Sequence, residues 1–284
     1  MQKLIALTIA LFSSLLFSQQ VKILDAENQK PIPFAKLILK DKDYYKNTEE
    51  NGQAQLENTE EISEIQSFGY ENLKVEKYQT VYLLKPKFTE IEEVEISKPS
   101  FSKSFKIGKI EKSNSTFGTH TKTWMVAREF TFIGKKTEKI FVKKIKFLSR
   151  INNKNSATIR INIFENENGL PGELIKSDVI FCKNGKRITE YELKNPLSFT
   201  SKGLIIGFEW IINKENEFET TMKFEDGTSK KITGINPSIG ANEKENEKNT
   251  IIGSLVEGNW KFKKFGNNIS TKNTTLAVEL ELTN

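Results

Sequence analysis

Imidazole and thiol chemistry in this 284-residue chain is confined to one histidine, His120, and one cysteine, Cys182. A nucleophilic cysteine needs a base to ionise it, and the only imidazole lies on a different predicted strand. Cys182, in "VIFCKNGK", therefore reads as a small buried apolar residue. With a single cysteine no intrachain disulfide can form. Zinc sites built from several His or Cys ligands are excluded on the same ground, and a Ser-His-Asp triad has one histidine to draw on. No Gly-x-Ser-x-Gly elbow, phosphate loop or His-Glu-x-x-His motif is present. Two acidic pairs, Asp41 with Asp43 and Glu92 with Glu93, have the type for general acid–base work or calcium ligation. Nothing in the sequence sets their separation, so they read as solvated charge. Catalytic residues, metal ligands and cofactors are accordingly assigned as none.

The aromatic residues are the other chemistry-bearing set, because exposed Trp or Tyr rings form platforms for sugars and peptides. In "GLIIGFEWII" the positions Leu204, Ile206, Phe208, Trp210 and Ile212 alternate with their neighbours and are all apolar, which places Trp210 in a core. Trp260 alternates with Phe262 and reads as core as well. Trp124 shares its face with His120, Lys122, Val126 and Arg128, a mixed set, and is the tryptophan to test first for ligand binding. Tyr44 and Tyr45 are adjacent, so in an extended segment one of them points outward at a hairpin tip.

The elements that must position these residues are strands. From Val21 to Leu84 short alternating stretches are broken by turn chemistry, which predicts six or seven antiparallel strands closing a small sandwich. In "AKLILK" Leu37 and Leu39 face one side and Lys36, Ile38 and Lys40 the other, the period of a half-buried strand. Pro31 and Pro33 suit the approach to a strand, and Asn51-Gly52 reads as a turn. After Phe101 eight or nine strand-like segments, among them "KTWMVAREFTFI", "ATIRINIFEN", "GLIIGFEWIIN" and "LAVELEL", predict a larger sandwich of jelly-roll type. Gly169 to Gly172 reads as a turn between strands, and "ANEKENEKN" (241–249) as a polar loop.

The order "PIPFAKLIL", "TEENG" and "FGY" resembles the carboxypeptidase regulatory-like, or peptidase-associated, domain, a transthyretin-like β-sandwich. Pro31, Ile32, Pro33 and Ala35 carry the first motif, Thr48 and Gly52 the second, and Gly69 and Tyr70 the third; Glu49 stands where that family usually has aspartate. The resemblance covers roughly residues 19 to 86. It implies an accessory module of envelope proteins whose motif residues shape a fold and perform no reaction. "TIRINIFENENGLPGELI" and "GLIIGFEWII" are similar to a C-terminal β-sandwich of exported bacterial proteins and, distantly, to carbohydrate-binding jelly rolls.

Composition agrees with a globular protein, at 37% hydrophobic and 28% charged residues. The formal charge of +6 is carried by lysine, with arginine only at positions 128, 150, 160 and 187. Lysines interleaved with acids give a solvated surface, not the arginine-rich stripe of a nucleic-acid reader. The first 18 residues, with Lys3 ahead of an apolar run from Leu4 to Phe17, read as a helical secretory signal peptide. At 1.5 Å per residue that run spans about 21 Å, short of a hydrocarbon core of about 30 Å, and no later segment is apolar for the required length. "EIEEVEIS" is similar to the segment ahead of the plug in TonB-dependent transporters. The chain that remains after it is too short for a plug and a 22-stranded barrel of about ten residues per strand.

These readings predict a signal peptide (1–18), a regulatory-like sandwich (19–86), a linker (87–100) and a jelly-roll-like sandwich (101–284). The expected function is non-catalytic: binding or assembly with a protein or glycan partner in the periplasm or at the outer membrane. A carbohydrate-binding module is the first alternative and a glycan-active or peptide-active enzyme the second.

Overall fold

A computed structural model describes residues 19–87, 103–111, 113–120, 123–132, 139–223, 226–243, 249–265 and 275–284. The signal peptide and the linker from residue 88 on, with Glu92 and Glu93, lie outside the described residues. The chain divides into two compact units, Met1–Thr89 and Glu90–Asn284. Within the described residues both are all-β.

The first unit holds β1 (Gln19–Asp25), β2 (Lys36–Leu39), β3 (Tyr45–Asn47), β4 (Gln53–Leu56), β5 (Ile62–Gln66), β6 (Leu73–Lys74) and β7 (Val81–Leu84). They form two sheets, β4-β1-β7 and β3-β2-β5-β6. Alternation supplies the core between them: Val21 and Ile23 from β1, Leu37 and Leu39 from β2, Ile65 from β5, and Tyr82 and Leu84 from β7 are all buried in one cluster. Two details depart from the alternation rule. The β7 strand runs parallel to β1, with Ile23 opposite Tyr82, because the chain crosses over before returning. And β2 is buried on both faces: Ile38 is covered, and Lys36 is buried with its ammonium 5.0 Å from the Tyr45 ring centre.

The proline, threonine, glycine and tyrosine positions prove to be joints. Pro31 bridges Leu24 of β1, and the buried Thr48 hydroxyl accepts from the Ala35 amide (2.8 Å) while donating to the Ile32 carbonyl (3.1 Å). Tyr70 donates its hydroxyl to Asp25 Oδ2 at 3.0 Å. The Asp25 Oδ1 atom meanwhile caps the following turn through the amides of Glu27 and Asn28. A threonine and a tyrosine thus satisfy backbone and carboxylate groups that burial would otherwise leave unpaired.

The second unit holds β8 (Ser104–Lys109), β9 (Thr116–Thr119), β10 (Trp124–Phe130), β11 (Phe141–Arg150), β12 (Ser156–Glu167), β13 (Leu170–Lys183) and β14 (Ile188–Ser198). It continues with β15 (Leu204–Trp210), β16 (Glu217–Lys223), β17 (Ser229–Asn242), β18 (Thr250–Val256), β19 (Asn259–Lys264), β20 (Thr275–Leu276) and β21 (Val278–Thr283). One sheet has the order β13-β12-β15-β10-β18-β19. The other runs β16-β17-β11-β21-β8, with β14 on β11 and with β9 and β20 on β17. The two sheets pack face to face: the Phe147 and Phe208 rings meet at 4.9 Å. The Trp210 Nε1–H group donates to the Pro237 carbonyl at 2.8 Å, and Arg128, buried in the core, donates from Nη1 to the Leu276 carbonyl at 2.7 Å.

Several boundaries move from their sequence-based positions. The β12–β13 hairpin turns on Asn168 and Gly169 alone, with φ of 55° and 83°, a two-residue Asn-Gly turn; Leu170, Pro171 and Gly172 already belong to β13. The strand β17 carries Pro237 within it, at a register shift between Ile235 and Ile239 against β9, where a missing amide costs no ladder bond. Ala241 and Asn242, read as loop, are the buried end of β17, and residues 244–248 of that stretch lie outside the described residues.

Candidate functional site

Every residue of β15 is buried, so the six-stranded sheet is covered on both faces and not on one. Leu204, Ile206, Phe208 and Trp210 face the sandwich core as alternation predicts. The opposite face of the sheet gathers Met125, Ala127, Phe164, Ile205 and Ile251 into a second apolar cluster, with Leu170, Trp260 and Phe262 against it. In a flat sheet β12 and β19, four strand spacings apart, would be separated by about 19 Å. Here the Phe164 ring on β12 meets the Phe262 ring on β19 at 5.7 Å, and the edge strands β13 and β19 come into contact. The sheet is therefore curled, and this second face is its concave side. Gly207 and Gly253 make room for the side chains packed on this face. A Cβ on Gly207 would lie 2.8 Å from Met125 Sδ, and one on Gly253 would lie 2.7 Å from Phe262 Cε1.

Polar groups are built into the concave face in two places. Cross-strand register sets Arg160 of β12 opposite Glu209 of β15. Glu209 Oε2 accepts from Asn162 Nδ2 at 2.9 Å, Asn162 Oδ1 accepts from Ser177 Oγ at 2.6 Å, and Arg160 Nε lies 4.0 Å from Glu209 Oε1. All four side chains are buried. Nearer the hairpin, Glu129 accepts from Asn166 Nδ2 at 3.0 Å and from Lys264 Nζ. Burial pushes the Glu129 carboxyl up, but the Lys264 ammonium and the Asn166 amide outweigh it and hold that carboxyl below its ordinary value. Trp260 and Phe262, both half-buried, stack along β19 with ring centres 6.4 Å apart.

The two carboxylates on this face do not form a hydrolytic pair. Glu209 is opposite Met125, and Glu129 lies four residues further along β10, about 13 Å away at 3.3 Å per residue. Glycoside hydrolysis needs carboxyl groups about 5–10 Å apart. The face is instead a second apolar core, with Trp260 and Phe262 packed half-buried against it.

The residues singled out from sequence fall elsewhere. Cys182 is fully buried beside the hydroxyls of Ser149 and Thr189, themselves 2.8 Å apart; burial pushes its thiol up and makes it a poor nucleophile. His120 is exposed, with Nδ1 near Gly234 and the Phe218 ring. Trp124 is half-buried and stacks on Trp210 at 5.0 Å with 16° between planes, with Phe117 edge-on to it at 6.1 Å. That arrangement is packing. Trp210 is core, as its alternation predicts, and Trp260 packs half-buried against the apolar cluster on the concave face. Tyr45 is fully buried and Tyr44 half-buried against the first unit's core. Asp41 and Asp43 are exposed, and no group of three potential metal-ligating side chains occurs among the described residues. Arg160, Asn162, Glu209 and Phe262 were not legible as a set, because the pairing of β12 with β15 joins the first three and the curl of the sheet brings Phe262 of β19 around to the same face.

The outer face of the other sheet is a ladder of alternating charge. Lys144 and Lys146 on β11 lie between Glu190 and Glu192 on β14 and Glu281 on β21, and Lys106 on β8 meets Glu279 at 3.0 Å. The Lys144 ammonium holds the Glu190 carboxyl below its ordinary value.

No helix among the described residues is long and apolar enough to cross a membrane. No family model matches the chain, and no curated protein matches it. Among solved structures, the clostridial cysteine protease Cwp84 after propeptide cleavage aligns at 12% identity and a TM-score of 0.35. The alignment covers 63% of this chain and 40% of that one.

Proposed function

We propose that this protein is a non-catalytic binding or assembly module, exported to the periplasm or outer membrane, that engages a protein or glycan partner through the concave face of its larger unit. The observation that carries the reading is the stacked pair Trp260 and Phe262, half-buried against the apolar cluster of that face. Flat rings take the apolar side of a sugar or a peptide side chain. The N-terminal resemblance to envelope accessory domains and the apolar leader support export.

The test is a glycan array and a pull-down from envelope extract, both on the chain without its first 18 residues. Trp260→Ala is expected to weaken partner capture at least tenfold, while Trp124→Ala, a packing change, leaves it intact in the folded fraction. Glycan binding lost in Trp260→Ala narrows the reading to a carbohydrate-binding module. Capture unaffected by Trp260→Ala, or turnover of a polysaccharide or peptide by the purified protein, refutes the proposal.

A further inference from the structure

The second charged feature of the larger unit is a depression of about 630 Å³ at one end of the charge ladder. Its lining includes Lys106, Lys146, Lys186, Arg187, Glu190 and Glu279. Four cations against two carboxylates leave two net positive charges. Pairing sharpens the imbalance, because Glu279 is met by Lys106 at 3.0 Å and Glu190 by Lys146 at 3.9 Å. Lys186 acts on Glu190 only from a distance, and neither it nor Arg187 makes an ion pair within 4 Å among the described residues.

The backbone that carries these two cations is held in place. They follow the β13–β14 turn, in which Gly185 has φ of 80° and Asn184 is tied at both backbone and side chain to Asn155 and Lys154. The Arg187 carbonyl accepts from the Ser149 amide at 2.8 Å. Its Nη2 group donates to the Ser113 carbonyl at 3.3 Å, which orients the guanidinium and leaves most of its donors to the depression. Ile188, exposed on the rim, adds apolar area. Clustered cations in an open recess, with the neighbouring acids already paired to other lysines, favour an anion over a neutral ligand.

We propose that this depression binds a ligand bearing two or more carboxylate or phosphate groups, with Lys186 and Arg187 as the recognising pair. This site is separate from the concave face and does not rest on it. Binding of oligogalacturonate (carboxylate), pyrophosphate (phosphate) and a neutral cello-oligosaccharide to the chain from residue 19 is measured by calorimetry at 50 and 300 mM salt. The expected result is saturable binding of at least one anionic probe and none of the neutral one. Affinity should fall at least tenfold in Lys186→Glu/Arg187→Glu and on raising the salt. Lys230→Glu/Lys231→Glu, an equal charge change at exposed residues of β17, should bind as the parent does, and so should Trp260→Ala. All variants are checked by circular dichroism. The proposal is overturned if neither anion binds saturably, if both charge-reversal pairs weaken binding equally, or if Trp260→Ala alone abolishes it.

Discussion

Single residues show why the N-terminal motifs carry no reactive group. Gly52 is read from sequence as a turn former, yet the demand on it is tertiary. At φ of 73° a Cβ would lie 2.9 Å from both the Ile23 carbonyl oxygen and Pro31 Cβ. Gly52→Ala is therefore expected to lower the unfolding free energy of the first unit by about 2 kcal/mol, measured by urea denaturation. Asp25 makes a prediction in pH. Burial alone would raise its carboxyl. The backbone amides of Asn28 and Glu27, together with the Tyr70 hydroxyl, instead bring it below the ordinary value of 3.8. A depressed folded-state value means that its stabilisation is complete above the unfolded value and lost as pH falls through the folded one. Denaturation midpoints measured from pH 6 down to pH 3 should therefore drop less steeply in Asp25→Asn than in the parent. Equal slopes would show that the Asp25 carboxylate and its hydrogen bonds contribute nothing to this pH dependence.

At the scale of elements, alternation located most strands and misjudged their covers. Leu204 to Trp210 reads as one apolar face, but Ile205 and Glu209 are buried as well, since the sheet curls over them. The strand β17 escapes a sequence reading because Pro237 lies inside it and "SKKITG" carries little apolar signal. Its position is set by contact. A Cβ on Gly240 would lie 2.3 Å from Leu148 Cδ2 and 2.5 Å from Leu148 Cβ on β11, so where these antiparallel neighbours begin to pair, their separation is one that only glycine allows. Gly240→Ala is expected to cost about 2–3 kcal/mol through overpacking, read as a lower melting temperature of the larger unit. No change would mean that β17 and β11 can part without penalty.

The whole molecule consists of two units, each with its own sheets, and the smaller one encloses a complete apolar cluster. Residues 19–87 expressed alone should therefore unfold cooperatively in urea with a β-type circular dichroism spectrum, as marginal domains of about 65 residues do. A non-cooperative transition would show that their stability depends on the rest of the chain. Sequence alone determined the all-β class, the core position of Trp210, the burial of Cys182 and the turn at Asn51-Gly52, because period-two patterning and turn chemistry are local properties. Only the tertiary structure decided that Trp260 and Phe262 share a sheet face with Arg160 and Glu209, and that Lys186 and Arg187 line one depression with Lys106. Curvature and strand order join residues far apart in the chain, and no local period encodes how a sheet bends.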